Sequence, residues 1–303
     1  MADFDVLGIG RPYFDQLLVV PHVPVADEMV YIEHYEQQGG GPVPTALITL
    51  ARLGASTAIW GNVGSDQHGE FLAADFARHG VNRDHLTVVP GLATAISVIL
   101  IERASGMRSI MPYRGNTPEL DPRQIVPEIV SRGRILHVSG SYQQAETKAA
   151  RVAKSLGVEV SFDGGAGLVR PGIGELVELS DILIVARRFA EGETGLSDVE
   201  ACARNFLGRG PRTVVITAGV AGSWGWTKAG DYHHQPAFEV TAADTTGAGD
   251  VYHGAFLYGE LHGWPLERTM RFAGAVAALK CTRVGGRAGI PTLAEVESFL
   301  AAR

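Results

Sequence analysis

The chain has 303 residues and a formal net charge of −7, and 46% of its residues are hydrophobic and 19% charged. This composition excludes the disordered and fibrous classes and allows a large buried core. It contains no basic excess, which argues against nucleic acid as a partner.

The cysteines and the N-terminus predict the cellular location. Only Cys202 and Cys281 occur, without the spacing of a metal site or the number of a disulfide framework, which favours a reducing compartment. MADFDVLGIG (1–10) carries acidic residues where a secretory signal has a basic region. No apolar run approaches the roughly 20 residues that span a bilayer. We therefore expect a cytoplasmic protein without a membrane partner.

Short apolar runs alternate with amphipathic stretches along most of the chain. The apolar runs are rich in β-branched residues, as strands buried on both faces of a sheet are. The amphipathic stretches have apolar residues three to four positions apart and end at glycine, which predicts helices. The alternation predicts an α/β fold with a mainly parallel central sheet flanked by helices. The predicted strands are 4–10, 56–64, 134–140, 157–163, 180–186 and 213–219, and the predicted helices are 44–54, 69–80, 145–157 and 198–210.

Two segments break this alternation. Residues 16–38 and 92–113 have the polar–apolar pattern of strands, with no helix inside either segment. They predict antiparallel strands inserted into the α/β body, where they would form a small sheet that acts as a lid or a dimer contact. Because no linker-like segment or internal repeat occurs, we expect one domain, residues 1–303, that includes this lid.

The stretch ADTTGAGDVYHGAF (243–256) predicts the chemistry. It places Gly247, Ala248 and Gly249 directly before Asp250 and a helical run. The N–H groups at a helix N-terminus bind anions, and these small residues leave room for a phosphate. A carboxylate beside that phosphate can accept the proton of an attacking hydroxyl, while the amides stabilise the developing charge. A bare GxGD occurs more often in ordinary turns, so the pattern alone leaves two readings open: such a turn, or phosphoryl transfer to an alcohol with Asp250 as general base.

The same stretch resembles the C-terminal signature of the PfkB, or ribokinase-like, carbohydrate kinases, and the resemblance covers nearly the whole chain. GGGPVPTALITLARLG (39–54) is similar to the first signature of the family, GNVGSDQHGE (61–70) to its GxVGxDxxG element and TAGVAGS (217–223) to its TxGxxG loop. The resemblance implies a three-layer ribokinase-like fold with a β-sheet lid. It also implies a small sugar or sugar acid as substrate, ATP and Mg²⁺ as cofactors, and a homodimer formed through the lid.

The resemblance also implies roles for individual residues. Asp15, at the end of GIGRPYFD, and the hinge glycines Gly39, Gly40 and Gly41 would bind the sugar. Asp244 and Thr246 match positions that bind K⁺ in ribokinase-like members. Asn116, between lid and core, could touch the substrate or cap a turn. The predicted ATP-binding residues are Thr217, Gly219, Gly222, Gly247, Gly249 and Gly274, with Gly247, Ala248 and Gly249 as the anion hole beside Asp250.

Some positions depart from the family pattern. Pro44 stands where the hinge of the family has asparagine. Ala186 and Phe189 occupy the positions of the NxxE motif that organises magnesium, and Glu191 or Glu193 could substitute. Magnesium is still expected, because nucleotide phosphates are transferred with a divalent metal.

The substrate pocket leaves several alternatives open. The last third of the chain is most similar to the sulfofructose kinases, but Met29 and Ser141 stand where those enzymes have lysine and arginine, which argues against an anionic head group. Arg11, Arg108 and Arg114 could still reach a ligand, although their spacing favours exposed surface or lid positions.

A nucleoside kinase of the same fold is the second reading, and Tyr31, Tyr35 and Tyr113 would then contact the base. A sugar-sensing homologue with lost catalysis is the third, supported by the missing NxxE pair and opposed by Asp250. Asp163 ends a predicted strand at the carboxyl edge of the sheet, where it could contact a ligand or cap a turn. A dinucleotide-binding dehydrogenase is excluded, because GIGRPYFD lacks the GxGxxG spacing.

Overall fold

The computed structural model describes residues 2–165 and 169–303. Within these residues nine strands form the central sheet, in the spatial order β13-β12-β11-β10-β9-β8-β1-β4-β5. Neighbours from β11 to β5 pair in parallel, whereas β12 pairs antiparallel with β11 and with β13. The strands are β1 (Phe4–Ile9), β4 (Thr57–Gly64), β5 (Asn82–Val89), β8 (Gly133–Val138), β9 (Glu159–Asp163), β10 (Ile182–Ala186), β11 (Thr213–Thr217), β12 (Ser223–Thr227) and β13 (Tyr232–Gln235).

Helices cover both faces of this sheet, because successive strand residues point to opposite sides. In β1, Leu7 and Ile9 face one core and Val6 faces the other. The first core packs α3 (Pro127–Val130), α4 (Gln143–Leu156), α5 (Gly174–Leu179), α6 (Arg187–Thr194) and α7 (Val199–Arg209). The second packs α1 (Pro42–Leu53), α2 (Gln67–Arg78), α8 (Ala248–Leu261), α9 (Leu266–Cys281) and α10 (Leu293–Ala301).

The helix boundaries follow local capping signals. Asp66 accepts a hydrogen bond from Gly69 N (2.9 Å) at the start of α2, and Thr292 forms a capping box with Glu295 at the start of α10. Gly54 and Gly157 end α1 and α4 in the left-handed conformation, with φ of 103° and 72°.

The strand pairings and the helices on both faces confirm the predicted α/β fold with a mainly parallel sheet. None of the described helices is long and apolar enough to cross a membrane.

The two segments that break the alternation form a separate four-stranded sheet, which we call the lid sheet. Its strands are β2 (Tyr13–Val20), β3 (His34–Gly40), β6 (Ile96–Glu102) and β7 (Arg108–Tyr113), in the order β3-β2-β6-β7. The expectation that they are all antiparallel was wrong for the central pair, because β2 and β6 run parallel. The first segment also begins earlier than 16–38 suggested, and residues 21–33 lie outside the strands. β3 ends at Gly40, one of the hinge glycines, and β2 begins beside it, because Tyr13 pairs with Gly40.

Candidate active site

The hinge between β3 and α1 places glycine backbone against the carboxylate of Asp15. The Asp15 side chain is 6% exposed, and a Cβ built on Gly40 would overlap its carboxylate. Gly41 has φ of 96°, and a Cβ there would lie 2.5 Å from the carbonyl oxygen of Arg11. Only glycine permits this conformation and this close approach. The structure thus brings Asp15 and the hinge glycines together, as the sequence predicted.

Arg287, which the sequence analysis did not single out, ties this hinge to the core. Its guanidinium is 4% exposed and donates to Asp75 Oδ2 (2.6 Å) and to the carbonyl oxygen of Gly40 (2.9 Å). Its backbone N–H donates to Gln38 Oε1 at 3.1 Å. A Cβ on Gly39 would overlap the same guanidinium. Arg287 thus joins Gly40 of β3 to Asp75 of α2. Separating the two elements would break a buried ion pair, which costs free energy because a buried charge is left uncompensated.

The N-terminus of α8 opens onto free space. Gly247 is its N-cap with φ of 72°, and a Cβ there would lie 3.1 Å from Gly286 Cα. Gly249 is exposed, and a Cβ built on it would meet no atom of the described residues within 4 Å. The first-turn N–H groups of α8, with Ala248, therefore border a space that an anion can enter. Asp250 follows in the same turn and is partly buried.

Asp250 and Asp15 share one electrostatic environment. Burial and then the charge of Asp163 raise the pKa of Asp250 to about 6, against the opposing charges of His253, Arg108 and Arg287. Burial raises the pKa of Asp15 to about 7, against Arg287 and a hydrogen bond from Ser97. The charge of Asp250 adds to the rise at Asp15. Two carboxyls with raised pKa values that both interact with the charge of Arg287 are typical of a catalytic site.

Two of the predicted ATP-binding residues, Gly222 and Gly274, lie against the end of β13 and the segment that follows it. Thr217 ends β11, and Gly219 begins a short 3₁₀ helix over Gly219–Ala221. Gly222, with φ of 87°, lies so close to the 235–237 backbone that a Cβ would overlap it. Gly274 lies on α9 at the same segment, since a Cβ there would be 3.5 Å from Gln235 Cγ. Gly222 and Gly274 thus lie against the same segment, and Thr217 and Gly219 lead into the turn that contains Gly222.

Comparisons with known proteins identify the family of the chain. The model of the pfkB family carbohydrate kinases matches residues 10–293. The chain belongs to the PfkB family of carbohydrate kinases. It is accordingly a phosphotransferase that uses an alcohol group as acceptor.

Curated relatives and solved structures cover the chain almost end to end. The chain is 30% identical to the ATP-dependent ribose-1-phosphate kinase of Halopiger xanaduensis, over 98% of both chains. It is 28% identical to the 5-dehydro-2-deoxygluconokinase of Halalkalibacterium halodurans, over 98% of this chain and 95% of the relative.

Two solved ribokinases confirm the ribokinase-like fold. That of Thermotoga maritima has a TM-score of 0.84 and 26% identity, over 98% of this chain and 99% of the other. That of Arabidopsis thaliana, complexed with ribose and ATP, has a TM-score of 0.85 and 25% identity over 99% of both chains.

Behind Asp250 lies a buried cluster of His137, Asp163 and His253, which are 0%, 2% and 5% exposed. His253 Nε2 lies 3.2 Å from Asp163 Oδ1, and Gly165 N donates to the same oxygen at 2.6 Å. Of the described residues, these three alone form a group whose ligand-type atoms could hold a metal ion. Burial and then His253 lower the pKa of His137 to about 3, so this imidazole is neutral. Asp163 thus caps the turn that follows β9, and its negative charge raises the pKa of Asp250.

The surroundings of Asp244 do not fit a bound potassium ion. Asp244 Oδ1 accepts from the N–H (2.8 Å) and hydroxyl (2.7 Å) of Thr246, and Oδ2 accepts from Gly285 N (2.8 Å). The carbonyl oxygen of Asp244 accepts from Lys280 Nζ at 2.8 Å, and that ammonium lies 4.0 Å from Oδ2. Two like charges about 4 Å apart in such surroundings repel by about 4 kcal/mol. A cation and the Lys280 ammonium would compete for the same oxygens.

The remaining candidates differ in their placement. Arg108 and Arg114 are exposed, as expected, but the surface position expected for Arg11 was wrong: it is 5% exposed, with its guanidinium 4.7 Å from the Tyr142 ring centre. This stacking partner lies 131 positions away and could not be recognised from spacing. Asn116 joins two distant segments between lid and core: its Oδ1 accepts from Ala93 N at 2.6 Å, and its backbone N–H donates to the Ala93 carbonyl oxygen at 3.2 Å.

Proposed function

We propose that this kinase transfers the γ-phosphoryl group of ATP to a hydroxyl of a small sugar or sugar acid, with Asp250 as general base. One observation supports the proposal above all. Asp250 lies in the first turn of α8, directly after backbone N–H groups that border open space, and it interacts electrostatically with Asp15 at the glycine hinge. This arrangement supports a site that combines a base, an anion site and a hydroxyl-binding carboxylate.

Each group of residues has a separate role in the proposed phosphoryl transfer. Asp15 and the backbone of Gly39 to Gly41 hold the sugar hydroxyls, and Asp250 accepts the proton of the hydroxyl that attacks. The amides of Gly247 to Gly249 stabilise the charge on the transferred phosphoryl oxygens. ATP lies along the surface bordered by Thr217, Gly219, Gly222 and Gly274. The lid sheet excludes water, which would otherwise accept the phosphoryl group.

Magnesium would bind mainly through the phosphates of ATP and through water, because the protein carboxylates proposed to replace the NxxE motif are engaged elsewhere. Glu191 accepts from Arg187 Nε at 2.7 Å, and Glu193 accepts from Arg209 at 2.9 Å. Mg²⁺ commonly keeps several waters and binds substrate phosphates with few protein ligands. When bound, it neutralises charge on the phosphates.

The sugar is expected to be small, and its charge is open. The relatives named for ribose 1-phosphate and for 5-dehydro-2-deoxygluconate act on anions, whereas the ribokinases act on a neutral sugar. Met29 is 80% exposed, and the Ser141 hydroxyl donates to Glu146, so neither contributes a positive charge. Arg108 of the lid donates to Thr245 Oγ1 at 2.9 Å, next to the anion site. The likeness to sulfofructose kinases stays a prediction. The nucleoside alternative has weaker support, because Tyr31, Tyr35 and Tyr113 are all exposed on the lid.

The test is ATP consumption with a panel of sugars, sugar acids, sugar phosphates and nucleosides. We expect turnover with one class, and loss of turnover by about 100-fold or more in Asp250→Asn with nearly unchanged ATP affinity. Asp84→Asn, an exposed carboxylate on the edge strand β5, is the matched control. Near-normal turnover of Asp250→Asn would remove the residue from the base role. ATP binding without turnover of any substrate would support the sensor reading.

We also propose that two lid sheets pair in a homodimer. Apolar side chains that are more than half exposed lie on β7 and on the connection between β2 and β3. They are Met111 and Tyr113 on the strand, and Val25, Met29 and Tyr31 on the connection. β7 is exposed along its whole length and is an edge strand. Exposed apolar surface on an unpaired edge is typical of an interface. Light scattering should give twice the chain mass, and the double variant Ile110→Glu, Met111→Glu should give a monomer, whereas Leu156→Glu at the end of α4 should not.

A further inference from the structure

Lys280 is a buried cation that the proposed phosphoryl transfer does not yet use. It lies near the end of α9, and its side chain and that of Asp244 are both 0% exposed. A buried ammonium is stable only when it is paired and hydrogen-bonded. Nζ donates to the Asp244 carbonyl oxygen at 2.8 Å, and the Asp244 carboxylate lies 4.0 Å away.

The pair shapes the loop that leads to the anion site. The Asp244 carboxylate accepts from both the N–H and the hydroxyl of Thr246, which directly precedes Gly247. The N–H groups of Ala243 and Asp244 donate to the carbonyl oxygen of Cys281, at 2.8 and 3.2 Å. The loop is therefore held at its start by the end of α9 and at its finish by the Asp244 carboxylate. Loss of the positive charge would leave that carboxylate buried without a countercharge.

We propose that the Lys280 ammonium takes the place of a monovalent cation at Asp244, so that this kinase needs no potassium to order its anion site. A cation there would have to be univalent, contact the Asp244 oxygens and be shielded from water. The Lys280 ammonium meets all three conditions. Lys280 is a positioning residue, because it acts on Gly247 to Gly249 through Asp244 and Thr246. The inference rests on the kinase function proposed above.

The first test compares salts at equal ionic strength. The wild type should turn over within about twofold at the same rate in potassium, sodium and tetramethylammonium chloride, since only general screening then differs. Lys280→Ala removes the ammonium and leaves a cavity beside Asp244. We expect its turnover to fall about tenfold or more in tetramethylammonium chloride, because small shifts of an anion site are costly to the rate. Potassium should restore much of this loss in a saturable manner.

Two variants serve as controls. Lys280→Met removes the charge but keeps most of the volume, so it should be impaired and poorly restored by potassium. Lys228→Ala removes an exposed lysine whose Nζ also donates to a carbonyl oxygen, that of Gly210 at 2.8 Å, and it should show no potassium effect. Activation of the wild type by potassium over tetramethylammonium would overturn the proposal. So would a folded Lys280→Ala that is fully active without potassium, or one that potassium does not restore.

A second measurement does not depend on turnover. Potassium should raise the Tm of Lys280→Ala relative to tetramethylammonium, because a cation that binds only the folded state stabilises it. The Tm of the wild type and of Lys228→Ala should be the same in both salts. If no substrate is found, this comparison still tests the cation exchange, so its failure is distinct from failure of the kinase proposal. A potassium-dependent Tm in the wild type would contradict the proposal.

Discussion

The raised pKa values of Asp15 and Asp250 predict a two-step acid limb in the pH dependence of kcat/KM for the sugar. Asp250 must be ionised to accept a proton, and Asp15 binds hydroxyls best as a carboxylate. With pKa values of about 7 and about 6, the slope should be one between these values and two below pH 6. Because the two carboxyls interact, the breaks belong to the pair and not to either residue alone.

The magnitude follows from the fraction of enzyme with both groups ionised. That fraction is nearly one at pH 8, and at pH 5 it is about one part in a thousand for pKa values of about 7 and 6. The wild type should therefore lose about a thousandfold in kcat/KM between pH 8 and pH 5. In Asp15→Asn the absolute activity is lower, but the loss over the same range should be only about tenfold, since Asp250 alone titrates.

The assay is initial ATP consumption in overlapping buffers of constant ionic strength, with the best sugar varied at fixed magnesium and ATP. Folding at each pH is checked by near-UV circular dichroism. A single break below pH 5 in the wild type would refute the raised pKa values. An acid limb that is identical in Asp15→Asn and wild type would refute the role of Asp15, while leaving Asp250 as the titrating group.

Three further changes test the hinge and its charges. Gly40→Ala should lower kcat/KM about 100-fold, because its Cβ overlaps the Asp15 carboxylate, whereas Gly208→Ala in α7 has open space and should be neutral; equal activities would contradict the steric argument. Arg287→Met removes the buried partner of the Asp75 carboxylate and leaves it only Arg78, which is exposed, and His79. Urea titration should therefore show a loss of about 3 kcal/mol, against less than about 1 kcal/mol for Arg78→Met. Because Arg287 lowers the pKa of both site carboxyls, its loss should also move the acid limb to higher pH. Asp15→Asn should raise Tm more at pH 8 than at pH 5. A carboxyl whose pKa is raised in the folded state destabilises the fold increasingly as pH rises from its unfolded pKa to about 7. An equal shift of Tm at pH 8 and pH 5 would count against burial as the cause.

Local patterns in the sequence predicted six of the nine strands of the central sheet, but not β5, β12 or β13, and they predicted four of the helices and the residues of the proposed anion site. Their signals lie within a few positions of one another, as in the glycines before Asp250 or the glycine that ends α4. The direction of β2 relative to β6 could not be predicted, because alternation of polar and apolar residues is the same in parallel and antiparallel pairs.

The residues that sequence reasoning missed act through contacts between distant parts of the chain. Arg287 reaches Gly40 across 247 positions and Asp75 across 212. Lys280 meets Asp244 across 36 positions, and nothing in the run AALKC separates a buried lysine from a solvated one. His253 follows Asp250 by three positions, so its location on the same helix face was foreseeable, but its pairing with Asp163 was not. Such contacts can be predicted only when the order of the strands in the sheet is known, because that order decides which distant residues meet.

The lid sheet and the hinge that we propose to bind the sugar are parts of the same two strands. Asp15 is the third residue of β2, and Gly40 is the last residue of β3, paired with Tyr13 across the ladder. Tilting of the lid therefore moves the sugar contacts themselves and is not confined to a cover above them. Changes far out on the lid should consequently alter substrate affinity and turnover together, which makes the lid the part of the molecule where selection can retune sugar preference without touching Asp250.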